Sequence, residues 1–169
     1  ENSLLRKKYV DCESGFYFLK GRKGLFETRI GRQKLAEEKW KIFRRAAARL
    51  QHTPFIKLVM ASGSLALGNA RRESDFDLLI AARAGRVWTA RFFANIIAYI
   101  FGLHRTRENF RNKLCLNHFI TDKSLRIEFE SVYNASTYSS LVPLWEKGIS
   151  WRQFREANDW MAKFVAGNY

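Results

Sequence analysis

Two cysteines, two methionines, two prolines and three histidines are all this chain of 169 residues holds of those types. With only Cys12 and Cys115, neither a disulfide framework nor a zinc site is suggested, and a reducing, cytoplasmic setting is expected. The histidines, His52, His104 and His118, are too far apart in sequence to form a ligand spacing. Acidic residues are also scarce: 16 Asp plus Glu stand against 30 Lys plus Arg, which gives a net charge of +14. That excess points to a polyanionic partner, RNA or DNA first and an anionic membrane surface second. Long apolar runs are missing as well. The best candidate, Val87 to Leu103, falls short of the roughly 20 residues that a span requires. It carries Arg91 and Asn95 on one helical face, so it reads as a helix buried against a sheet, with no membrane span.

The chain is 47% hydrophobic and 15% aromatic, enough to bury the core of one ordinary domain with a small appendage. It opens Glu1-Asn2-Ser3 rather than on methionine, as a fragment or processed product would. Residues 1–31 read as an N-terminal appendage, in which Ser14-Gly15 and the Gly21 to Gly24 turn bracket an aromatic strand or hairpin from Phe16 to Lys20. Residues 32–169 form the domain proper. Its first helix, residues 32–51, carries an apolar stripe of Leu35, Ile42, Ala46 and Leu50, with Lys34, Lys41, Arg44, Arg45 and Arg49 facing solvent. Strands at 55–61, 75–82 and 113–121 alternate with a helix at 85–101, a pattern that implies an α/β (α+β) fold around a small mixed sheet flanked by helices. Leu125 to Glu130 alternates like a strand or opens a helix. Residues 131–142 and 150–165 read as two further helices, separated by Pro143 and Gly148.

The most informative stretch follows the first of these strands. Ser62-Gly63-Ser64 makes a small-residue turn whose backbone N–H groups and Ser64 hydroxyl are suited to phosphate oxygens. Asp75-Phe76-Asp77-Leu78 then alternates with a strand's period of two, so both carboxylates share one face while Phe76 and Leu78 enter the core. Two hard oxygen ligands beside a phosphate turn suit Mg2+ or Mn2+ together with a nucleoside triphosphate.

A hydrophobic residue, Gly-Ser, a short spacer and Asp-hydrophobic-Asp-hydrophobic resembles the nucleotidyltransferase signature of the DNA polymerase beta superfamily. Gly15 to Arg22, the basic helix around Trp40, Gly85 to Phe92, Lys113 to Asn117 and the C-terminal tryptophans are similar to a little-characterised bacterial group of nucleotidyltransferase-domain proteins. The resemblance implies Gly63 and Ser64 as nucleotide-binding residues, Asp75 and Asp77 as metal ligands, and attack of an acceptor hydroxyl on the α-phosphate of an NTP such as ATP. The acceptor would be an RNA end, a small molecule or a protein hydroxyl. It also implies a winged-helix-like segment ahead of residue 16, of which the appendage would be the remnant.

Where the family places a third carboxylate, this chain is read as carrying Asn117, which can coordinate through oxygen but cannot take a proton. A two-residue turn at Asp122-Lys123 would set Glu128 across from Asn117, roughly 5 Å away, as a substitute carboxylate. Two functions therefore follow: a working nucleotidyltransferase, or an inactive fold of that type serving as a basic RNA- or protein-binding module in a larger assembly.

Overall fold

The computed structural model describes residues 9–165. Strands β1 (Val10–Glu13) and β2 (Phe16–Leu19) form the expected antiparallel hairpin. The start of the appendage, residues 1–8, lies outside the described residues. Phe18 stacks on Phe26 and Phe16 meets the same ring at a tilt, which seats the hairpin on helix α1 (Gly24–Ala48). This helix begins earlier than the sequence predicts and runs without a break through residues 31 and 32, where the appendage was divided from the domain.

Its buried stripe is Ala36, Lys39, Phe43, Ala46 and Ala47, continued by Leu50 in a 3-10 turn. Ile42, expected in that stripe, is 48% exposed. The phase is set by Phe43, whose ring meets that of Phe76 at 4.8 Å, and a neighbour in sequence lies about 100° around the helix.

The central sheet contains β3 (Ile56–Ala61), β4 (Phe76–Ala82), β5 (Leu114–Thr121) and β6 (Val142–Glu146), in the order β5-β4-β3-β6. β4 and β5 are parallel; the other pairs are antiparallel. The expected small mixed sheet flanked by helices is therefore present. β6 corrects the sequence reading, which placed only a helix break at Pro143. An edge strand tolerates proline because one row of its N–H groups needs no partner, and Pro143 pairs with Met60 where the register shifts.

One sheet face packs on α1 and on α3 (Val87–Ile100) through Val59, Ala61, Phe76, Leu78, Ile80, Leu114 and Leu116. Only the alanines of α3, Ala90, Ala94 and Ala98, are buried. Its outer face exposes Trp88 (79%) and Tyr99 (78%), so the helix packs on the sheet as expected, with only that side of it buried. The opposite sheet face, with Leu58, Met60, Leu79 and Ala81, is covered by α4 (Val132–Ser139) and α5 (Trp151–Ala157).

Thr121 and Ser124 pair around the predicted turn, but Leu125 to Glu130 forms no strand. Buried Asn158 accounts for this. Its amide donates to Leu125 O and its carbonyl accepts from Ile127 N, both at 2.8 Å, so a side chain takes the backbone groups that a partner strand would use.

Candidate functional site

The chain leaves β3 through Ser62 and enters the one-turn helix α2 (Gly63–Ala66) with Gly63 at φ 68°. Two conditions require glycine there. The backbone is in the left-handed region, and a Cβ would lie 2.9 Å from Asp77 Cγ and overlap the carboxylate oxygen. The turn is thus folded directly over Asp77, and Ser62 N donates to Asp77 O at 3.0 Å. Ser64 Oγ hydrogen bonds Ser74 Oγ at 3.3 Å, tying the turn to the residue before the acidic pair.

Asp75 stands just ahead of β4 and Asp77 is its second residue; both are half-buried. The neighbour that completes the group is Cys115. The parallel register sets Asp77 beside Cys115, and ligand atoms of Asp75, Asp77 and Cys115 lie within 4.8 Å of one another. Flanking Leu114 and Leu116 point into the opposite core. The sequence instead reads Asn117 as the residue at the third position.

A β-bulge explains the difference. Leu116 and Asn117 together oppose Leu78, since Asp77 pairs with Cys115 and Leu79 with His118. The extra residue in β5 reverses the alternation. Asn117 is exposed and lines a cleft of about 160 Å³ with Asn95, His104, Arg105 and Cys115. With the alternation reversed, His118 follows Cys115 onto the site face and contacts the Tyr138 hydroxyl at 3.4 Å. Burial lowers its pKa. Glu128 is exposed on the irregular segment, without the strand pairing that was to set it opposite Asn117.

The electrostatics of the group follow from its burial and from the closeness of the two carboxylates. Burial, and next the charge of Asp75, raise the pKa of Asp77. Burial and the same two carboxylates push the Cys115 thiol up to about 11. Arg105 supplies part of the balance: its Nε meets Asp75 Oδ2 at 2.9 Å and its Nη1 lies 3.5 Å from Cys115 Sγ. Arg105 comes from the loop between α3 and β5. Arg91 lies over the Trp88 and Phe119 rings, and Arg71 and Arg72 are exposed.

Helix α1 fixes the loop from behind, a role that its charge pattern did not reveal. Arg29 donates to the Leu67 and Gly68 carbonyls, Arg32 to Asn69 Oδ1, and Lys39 Nζ to Ser74 O at 2.8 Å. Lys39 is 4% exposed, and burial, then Arg111, lower its pKa. A spacing of three, seven and ten residues along one helix is the available signal, because it puts all three cations on one face.

Two carboxylate oxygens and a sulfur under a turn without a Cβ form a donor set that fits a divalent cation. No protein-family profile and no curated protein sequence matches this chain. Among solved structures, it is similar to one described as a toxin-antitoxin with AMP-PNP, with TM-score 0.42 and 14% identity over 71% of this chain and 84% of that one. Among the described residues, no helix is long and apolar enough to cross a membrane.

Proposed function

We propose that this chain is a nucleotidyltransferase-type protein that binds a nucleoside triphosphate, such as ATP, with a divalent cation, and transfers the NMP to an acceptor hydroxyl. One observation carries the reading: Asp75 and Asp77 converge with a third ligand atom directly beneath the Gly63-Ser64 turn. Asp75 and Asp77 would hold the cation, which neutralises the triphosphate and the oxygen where charge develops. The Gly63 and Ser64 N–H groups open a helix and so lack partners within it; with the Ser64 hydroxyl they face the phosphates. Arg29, Arg32 and Lys39 hold the turn in register with β4. Arg105 is placed to exchange its contact with Asp75 for a phosphate oxygen.

One observation favours a second reading, an inactive fold acting as a basic RNA- or protein-binding module. The third position beside Asp77 holds a thiol instead of a carboxylate. Labelled NTPs incubated with Mg2+ or Mn2+ and total RNA, protein or metabolite extract separate the two. Transfer of label to any fraction, lost in Asp77→Asn, supports the enzyme. Binding of triphosphate without transfer leaves the module.

A further inference from the structure

Resting on that reading of the site, we infer that Cys115 is a protein ligand of the cation and gives this site a preference for borderline or soft divalent ions, of the Zn2+, Co2+ or Cd2+ kind, over Mg2+. Thiolate ligands favour such ions, whereas Mg2+ takes oxygen almost exclusively. The geometry supplies the contact. Atoms bound to one ion at roughly 2.0–2.3 Å are separated by roughly 3–4.5 Å. The ligand atoms of Asp75, Asp77 and Cys115 lie within 4.8 Å of one another, close to that separation.

Position excludes a purely packing role for the sulfur. Leu114 and Leu116 fill the apolar core, while Cys115 between them faces the carboxylates. The cleft shared with Asn117 and Arg105 gives a route to it. When the ion binds, the thiol proton leaves to solvent and the sulfur joins as thiolate. Arg105 Nη1, 3.5 Å from Sγ, is then a charged donor in the outer shell of that ligand.

Co2+ alone is the probe, added without nucleotide to the Cys12→Ser protein, from which the exposed second thiol has been removed. A sulfur-to-cobalt charge-transfer band in the near ultraviolet is expected, and with Cys12 gone it can come only from Cys115. Adding Cys115→Ser should abolish the band and weaken Co2+ binding by about tenfold or more. Cys115→Asp should lack the band and move the preference toward Mg2+. Co2+ bound without the band, or Mg2+ bound as tightly as Co2+, overturns this inference and leaves the carboxylate site standing. A band together with no affinity for triphosphate sinks the nucleotidyltransferase reading and keeps the thiolate ligand. If no divalent ion binds at all, both fall.

Discussion

Asp77 bears the cost of the site at the scale of single residues. Its carboxylate is half-buried, sits near Asp75 and has a raised pKa, so the folded state binds its proton more tightly than the unfolded state does. Stability without metal therefore falls as pH rises from the ordinary Asp value of 3.8 through the raised one, because the native state holds the extra proton across that window. Asp77→Asn removes this charge, so without metal it should melt above the parent at neutral pH, with the difference vanishing at acid pH. Thermal melts with chelator test this, and equal Tm values across the range would contradict it. The same variant should lose cation-dependent triphosphate binding.

Gly63 carries the complementary constraint. Gly63→Ala places a Cβ on Asp77 at a backbone angle that costs a non-glycine residue about 1–3 kcal/mol, so both stability and cation binding should drop. Ser64→Ala should keep the fold and weaken triphosphate binding by roughly ten- to a hundredfold, the worth of a hydrogen bond to a charged group. Calorimetry in which both variants bound triphosphate like the parent would reduce the turn to a purely structural one.

Elements bring these residues together, and here the sequence was legible only in part. The Gly-Ser turn and Asp75-x-Asp77 were readable because both rest on local rules, a glycine in a tight turn and a period of two along one strand. Cys115 was not, since its partner depends on the register of parallel strands joined by a long connection, and one bulged residue in β5 moved Asn117 out and brought His118 onto the site face. β6 was hidden by its proline, and the end of the Thr121–Ser124 hairpin was decided by Asn158, far along the chain. Helix α1 was readable as a helix but not as the clamp behind the loop. That clamp is testable through Lys39→Met, which keeps the apolar stem and deletes the donor to Ser74 O. Losing that charged donor, with only the Asn112 N–H left on Ser74 O at 3.3 Å, should cost about 1.5–3 kcal/mol and weaken cation binding by loosening the segment before Asp75. Denaturant unfolding with an unchanged midpoint would show the Lys39 contact to be dispensable.

Across the whole molecule, the acidic group is a small negative site on a chain of net charge +14. Lys34, Lys41, Arg44 and Arg45 on the outside of α1, with Arg71, Arg72, Arg107 and Arg111 in the loops, are all exposed. Such a field raises the local concentration of polyphosphates and polynucleotides, and its self-repulsion is relieved when a polyanion binds. If the acceptor is an RNA end, the strand should lie on this surface while its hydroxyl reaches the carboxylates. Affinity for RNA should then fall by about 10³ between 50 and 200 mM salt for roughly six neutralised phosphates. Asp77→Asn should leave this affinity intact, because the strand is held by cations outside the site. Charge reversal at Arg44 and Arg45 should flatten the salt dependence without touching triphosphate binding. RNA affinity that is weak at low salt, or indifferent to those reversals, would remove the polynucleotide and leave the site with a small-molecule or protein hydroxyl as its acceptor.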